Sequence, residues 1–240
     1  MPRFPVKQSQ IKNRQVIISG SDYRHIVKVL RVKVGHEITL FDESGMEHTA
    51  AITEIGKSEV KLAIAESRKV KTESSLSITL LQGVPKGNKM DFIVEKATEL
   101  GVKTIVPVVT ERSQIRETQK IERWRRVAME SSKQCGRIIQ PDIRTLKDFR
   151  EVIELNYSDG LLLILDNQCE DNIKDVINNA SQSTINVILF IGPEGGFSEE
   201  EIKTAKEKGF IPTGLGPRIF RTETAGIVAI AILQYVWGDM

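Results

Sequence analysis

Four ionisable side chains cluster in the last third of the chain, each beside a run of glycines. Glu194 sits in Gly192-Pro193-Glu194-Gly195-Gly196-Phe197-Ser198. Arg218, Arg221 and Glu223 sit in Gly214-Leu215-Gly216-Pro217-Arg218-Ile219-Phe220-Arg221-Thr222-Glu223-Thr224-Ala225. A carboxylate can accept a proton and a guanidinium can stabilise developing negative charge. Glycines let the backbone approach a ligand closely, and a helix start behind each loop leaves unpaired N–H groups facing it. Neither loop is G-x-x-x-x-G-K-[ST] and neither is G-x-G-x-x-G, so a P-loop and a dinucleotide fingerprint are excluded. A single glycine of this kind usually makes only a tight turn. Two such loops together with four charged groups favour a small-molecule site.

These loops need strands before them and helices behind them. Asn186–Ile191 is apolar-rich and bounded by Gly-Pro, as a buried strand should be, and Ser198 with Glu201 forms a capping-box signature. Leu161–Leu165 is apolar throughout, which suits a central parallel strand ending at Asp166. Upstream, Leu76–Leu81 is a strand ending at Gly83 and Pro85, and Thr104–Val109 is the next. Lys89–Leu100 is a helix with Met90, Ile93, Ala97 and Leu100 on one face, stopped by Gly101. A longer helix, Gln119–Gln134, turns Ile121, Trp124, Val127, Ala128 and Ser131 inward and Lys120, Arg123, Arg125, Arg126 and Lys133 outward. A weak helix is expected near Asn172–Ala180. The last helix, Thr222–Trp237, is apolar almost all round and must be buried in the core or against another subunit. Alternating strands and helices give an α/β domain with a mostly parallel sheet, whose ligands lie at the carboxyl ends of its strands.

The first 70 residues differ. Val16–Ile18, Glu37–Phe41, His48–Thr53 and Val60–Ile64 are short β-branched runs, with turns at Ser44-Gly45 and Gly56-Lys57 and one helix at Asp22–Leu30. Strands at this spacing suggest a small barrel. Through Gly35 the basic residues are Arg3, Lys7, Lys12, Arg14, Arg24, Lys28, Arg31 and Lys33, against the single acid Asp22. On a chain of net charge +2, a basic end of this kind points to an anionic partner, with nucleic acid the commonest. The polar stretch Ser67–Ser75 marks the domain boundary.

Composition excludes several classes. With 40% hydrophobic and 28% charged residues the chain is globular rather than disordered. Its longest apolar stretch, Ala225–Val236, is shorter than the roughly 20 residues of a membrane span. The N-terminus lacks an apolar signal core. Cys135 and Cys169 read as reduced cytoplasmic thiols, and His25, His36 and His48 lack metal-ligand spacing, so no metal is expected.

Both C-terminal motifs, with Met90-Asp91-Phe92-Ile93-Val94-Glu95-Lys96-Ala97-Thr98-Glu99-Leu100-Gly101 and His25 followed by Val29-Leu30-Arg31, resemble the uracil-N3 methyltransferases of small-subunit (16S) ribosomal RNA. That family belongs to the SPOUT superfamily of trefoil-knotted α/β proteins. The resemblance spans nearly the whole chain, departing where Phe197 and Phe220 replace expected aliphatic residues. It implies a PUA-like RNA-binding β-barrel over residues 1–70, followed by a mostly parallel, knotted α/β methyltransferase domain over 74–240. It further implies S-adenosylmethionine as cofactor, 16S rRNA of the small ribosomal subunit as partner, a homodimer, and a cytoplasmic location.

With that chemistry in view, the candidate catalytic residues are Arg221, Glu194 and Glu223. Uracil N3–H is weakly acidic, and its loss places charge on two carbonyl oxygens that Arg221 could meet. Glu194 is the nearest base, unless it merely caps turn N–H groups. Glu223 could hold Arg221 or the cofactor. The expected cofactor-binding residues are Leu165, Asp166, Ile191, Gly192, Pro193, Glu194, Gly195, Gly196, Leu215, Gly216, Ile219, Arg221, Thr222, Thr224 and Ala225. Arg3, Arg24, His25, Lys28 and Arg31 are the expected RNA contacts. A non-enzymatic RNA-binding assembly factor is the alternative from another class, and a nucleotide hydrolase is a weaker third.

Overall fold

In the first part of the chain, apolar residues alternate with polar ones, and each alternation becomes a strand with one face inward. The strands are β1 (Arg3–Pro5), β2 (Gln15–Ser19), β3 (Glu37–Phe41), β4 (Met46–Ile55) and β5 (Glu59–Lys69). They form one curled sheet in the order β1-β3-β4-β5-β2, antiparallel except where β1 joins β3. Val16, Ile18, Ile38, Leu40, Ile52, Val60 and Leu62 fill its inner face. Between β2 and β3, α1 (Gly20–Arg24) continues as a π-helical stretch, His25–Val29, which buries Ile26 against that core.

The computed structural model describes residues 3–70, 72–155, 157, 160–181 and 185–240. Ser67–Lys69, expected as linker, form the outer end of β5 and pair with Met46–His48. Their side chains are exposed, so their composition resembles that of a loop. Lys71, in the same stretch, lies outside the described residues. The chain divides into two compact units, and Ser132–Ile139 belongs with the first, which otherwise ends at Glu73. Within that unit the buried Arg137 pairs with Glu73 at 2.7 Å. No apolar period announces this return, because polar contacts hold it: Lys133 also pairs with Asp22 at 3.3 Å, and the Ile138 and Ile139 N–H groups donate to Glu73.

At the β3–β4 turn, Asp42 and His48 are buried together, with His48 Nε2 3.2 Å from Asp42 Oδ2 and His48 Nδ1 2.8 Å from Ser67 Oγ. Burial pushes the Asp42 carboxyl up, but hydrogen bonds from Ser44, His48 and the backbone N–H groups of Ser44 and Met46 outweigh it and hold its pKa below the ordinary carboxylate value. A depressed carboxylate stabilises the fold above its unfolded pKa, and that contribution disappears as pH falls through the folded value. Asp42→Asn is therefore expected to cost about 1–3 kcal/mol at neutral pH. Urea denaturation should show the gap from the unmodified protein narrowing as pH falls below the ordinary aspartate range, and a gap independent of pH would exclude this role.

The remaining elements alternate. They are β6 (Ser77–Gly83), α2 (Lys89–Glu99), β7 (Thr104–Val109), α3 (Ile121–Cys135), β8 (Asp142–Ile143), β9 (Lys147–Asp148), α4 (Phe149–Ile153), β10 (Leu161–Leu165), α5 (Ile173–Asn179), β11 (Asn186–Ile191), α6 (Glu199–Glu207), β12 (Ile211–Thr213) and α7 (Thr222–Trp237). Every strand pair is parallel, in the order β12-β10-β11-β6-β7-β8, with β9 also on β7. Successive strand residues serve opposite faces. Leu80, Leu163 and Leu189 pack with Met90, Ala97, Ile230 and Leu233 on one side, while Leu81, Ile164 and Phe190 pack with Phe149 and Phe210 on the other. The strands β1, β8, β9 and β12 are too short for a period to show in sequence.

Two connections cross in contact where the sheet's edge strand ends. Asp166 N–H donates to Thr213 O at 3.1 Å, Gly214 N–H to Asp171 O at 2.8 Å, and Ile173 N–H to Gly214 O at 2.8 Å. Past this crossing the chain leaves the β12 edge and lays α7 against α2. On α7, Ala229, Ile230 and Leu233 are buried. The buried Gln234 is satisfied by accepting from Ser74 Oγ at 2.7 Å and donating to Leu100 O at 2.8 Å. Tyr235 and Val236 remain 77% and 40% exposed, so the helix is not buried all round.

Candidate cofactor cleft

Adjacent strands β12, β10 and β11 run parallel, so their carboxyl ends open side by side. A cleft of about 460 Å³ lies there, walled by Leu165–Asn167, Ile191–Gly196 and the second glycine loop up to Ala225. Five glycines stand in its wall, Gly192, Gly195, Gly196, Gly214 and Gly216. Gly196 and Gly216 take φ of 65° and 95°, which L side chains rarely adopt. Gly192 is tightly seated, since a Cβ there would meet Gly196 backbone at 3.1 Å and the Phe197 ring at 3.2 Å. The Phe197 ring itself packs edge-on against Phe190 at 4.8 Å, and Phe220 is a half-buried part of the cleft wall.

Thr222 joins the two loops. Arg221, rather than Thr222, is the N-cap of α7, and its carbonyl accepts from Thr224 and Ala225. Thr222 is buried instead, donating to Gly192 O at 2.5 Å and accepting from Gln82 Nε2 at 3.1 Å. A hydroxyl both donates and accepts, so one residue ties β6, the first loop and the start of α7 together. Gly195 is fixed from outside, its carbonyl accepting from Arg112 Nη1 at 2.9 Å.

Charges are sorted around Lys89, a residue that sequence reasoning did not single out. Its ammonium lies 2.8 Å from Glu194 and 3.6 Å from Glu223. Burial raises the Glu194 pKa, but the Lys89 hydrogen bond and the backbone N–H groups of Glu194 and Lys86 outweigh it, holding the carboxyl below its ordinary value. Lys89 is held above its own, chiefly by the hydrogen bond to Glu194. Among the described residues, Arg221 has neither a salt bridge nor a side-chain hydrogen bond, and it lies exposed on the cleft wall. The alternative in which Glu223 holds Arg221 is thus not realised, and Lys89 engages Glu194 and Glu223 instead. Only its spacing one turn before Ile93 on the α2 face could have marked Lys89 in the sequence.

Leu165, Asp166, Ile191, Gly192, Pro193, Glu194, Gly195, Gly196, Leu215, Gly216, Ile219, Arg221, Thr222 and Ala225 all line the cleft. Thr224 and Glu223 do not, although both lie within the first turn of α7. Lys89, Asn167, Thr213, Gly214, Arg218 and Phe220 complete it. In the first unit, Arg24, His25, Lys28 and Arg31 are exposed together on and just after the helical segment. Arg3 is engaged differently, 3.1 Å from Glu47 and 5.4 Å above the Phe41 ring.

Comparison with known proteins agrees with this geometry. An RNA methyltransferase domain family matches residues 72–234, and an RNA methyltransferase PUA domain family matches 18–65. The ribosomal RNA small subunit methyltransferase E of Buchnera aphidicola is 32% identical over 100% of this chain and 95% of its own. Its counterpart in Aquifex aeolicus is 34% identical over 91% and 93%. The crystal structure of the Neisseria gonorrhoeae protein of that name, bound to S-adenosyl methionine, superposes with a TM-score of 0.89 at 35% identity, covering 100% of this chain and 99% of that one. The chain belongs to the RNA methyltransferase domain family, among the ribosomal RNA small subunit methyltransferase E proteins.

Proposed function

We propose that this protein transfers a methyl group from S-adenosylmethionine to N3 of a uridine in 16S ribosomal RNA. The observation that carries the reading is the glycine-rich cleft at the strand ends, in a chain that superposes over its full length on a relative holding that cofactor. We assign residues 1–70 to RNA binding and 74–240 to catalysis. The cleft suits the cofactor, with apolar Leu165, Ile191, Leu215 and Ala225 for the adenine ring and glycine-loop amides for its polar groups. When bound, the cofactor supplies a methyl group already activated by a sulfonium. The protein must then align the acceptor and manage one proton. Arg221, free of acidic partners, meets charge developing on the uracil oxygens, and Glu194, kept ionised, receives the N3 proton. Glu223 acts through Lys89, which positions both carboxylates. Transfer of a radiolabelled methyl group to 16S rRNA tests this, and a mass spectrum placing the label off uracil N3 would redirect it.

RNA affinity should fall steeply with salt. If about five phosphates are contacted, a fourfold rise in salt weakens binding roughly a hundredfold. Reversing Arg24, Lys28 and Arg31 to Glu should abolish RNA binding and leave cofactor binding intact. Filter binding that detects normal affinity in this triple variant would reduce the basic surface to a solvated face.

A homodimer is part of this reading, supported by the exposed Tyr235 and Val236 at the end of α7. Ile230 and Leu233 belong to the core of the domain, so replacing them with Asp would unfold it instead. Tyr235→Asp should give monomers by sedimentation, and an unmodified protein that sediments as an active monomer would refute the dimer. A cytoplasmic location goes with the ribosomal substrate, and no described helix is long and apolar enough to cross a membrane.

A further inference from the structure

A second cavity, of about 330 Å³, lies within the same domain, walled by Val84, Pro85, Met90, Ile115, Thr118 and Trp124. It shares no lining residue with the cofactor cleft, yet one segment serves both. Gly87 lines the second cavity, Lys89 lines the first, and Lys86 N–H between them donates to Glu194 at 3.2 Å. Lys120 Nζ donates to Gly87 O at 3.1 Å, holding the start of α3 to that segment.

The wall is mostly apolar and contains one anomaly. Trp124 is 1% exposed, yet its indole N–H has no hydrogen-bond partner. Buried indole N–H groups ordinarily find an acceptor, so an unpaired one in a cavity wall marks a place for a ligand oxygen or ring nitrogen. An anionic ligand is disfavoured by Glu117 in the lining and by the engagement of Lys120 with backbone. A flat, largely neutral ring with one acceptor fits. Proteins that read single-stranded RNA take unstacked bases into sites of this kind.

Resting on the methyltransferase reading, we propose that this cavity receives one unstacked base of the RNA substrate, a neighbour of the target uridine, which accepts from Trp124 Nε1. The shared segment 84–89 then couples the seating of that base to the position of Glu194. The reaction is thereby tied to RNA that fills both sites.

The test compares the unmodified protein with Ile115→Trp, which fills the cavity, and Trp124→Phe, which keeps the ring and removes the donor. Methylation of 16S rRNA should show kcat/KM for RNA lowered about tenfold in each, with affinity for S-adenosylhomocysteine unchanged. Ile115→Trp also serves if Trp124→Phe fails to fold, with thermal melting as the control for both. In a Trp237→Phe background, RNA should alter the emission of Trp124, the remaining tryptophan. Unchanged kcat/KM for RNA in a folded, cavity-filled variant, with Trp124 emission indifferent to RNA, would overturn the base site. Absence of methyl transfer by the unmodified protein would instead reject the underlying methyltransferase reading.

Discussion

Arg221→Lys should lower single-turnover methylation by roughly a hundredfold at saturating cofactor and RNA, while cofactor affinity changes little. Arg221 leaves a backbone fixed as the N-cap of α7, beside a Thr222 that is bolted to Gly192 and Gln82. Its guanidinium is not consumed by a carboxylate, since Lys89 is the cation beside Glu194 and Glu223. A preorganised planar donor loses little on meeting the charge that develops across two uracil oxygens, whereas an ammonium on a flexible stem cannot span both. A residue that merely braced the loop would behave differently: its loss would weaken cofactor binding and stability and leave turnover near normal. Near-normal turnover in Arg221→Lys would therefore remove it from the chemistry.

Gly83→Ala is expected to be almost as damaging, although Gly83 does not line the cleft. A Cβ there would lie 2.6 Å from both N and Cδ of Pro193 and 2.9 Å from the Gly192 carbonyl carbon. Those are atoms of the first glycine loop, and backbone cannot step aside as a flexible side chain can. The variant should lose about 1–3 kcal/mol of stability. Displacing the loop should also weaken S-adenosylhomocysteine binding by about tenfold or more, since each 1.4 kcal/mol is tenfold. Melting followed with calorimetric titration would check both, and normal affinity would mean that the loop accommodates the shift. At Gly195, by contrast, a Cβ would press on the Arg112 side chain at 3.1 Å, which makes it a poorer probe of the cleft.

Much of this architecture is legible in the sequence because its signals are local. A five-residue apolar run gives β10, a Ser198-Glu201 box gives the start of α6, and Gly101 at φ 82° ends α2 where glycine is expected. The glycine loops are equally plain, so most of the cleft wall follows from them. What stays hidden depends on chain segments distant in sequence. Lys89 acquires its place only when α2 brings it to Glu194, 105 residues onward. Thr222 looks like a cap until folding puts Gly192 O within reach. Ser132–Ile139 rejoins the first unit through Arg137 and Glu73, a pairing with no local signature. Trp124 is visible as an inner-face residue, but its unpaired N–H is a property of the packed cavity alone.

The placement of Thr222 has a consequence for how the protein is made. The ribosome builds chains from the N-terminus, and the last segment of the first unit has been synthesised once Ile139 is added. Every residue that walls the cleft except Lys89 comes later, and the hydroxyl that secures Gly192 comes almost last. A polypeptide released early, for example at Thr213, would keep the basic surface of Arg24, Lys28 and Arg31 but lack the second glycine loop and Arg221. Such a fragment could occupy RNA without the means to modify it. Fidelity of translation to the final helix is therefore a condition of activity as well as of folding.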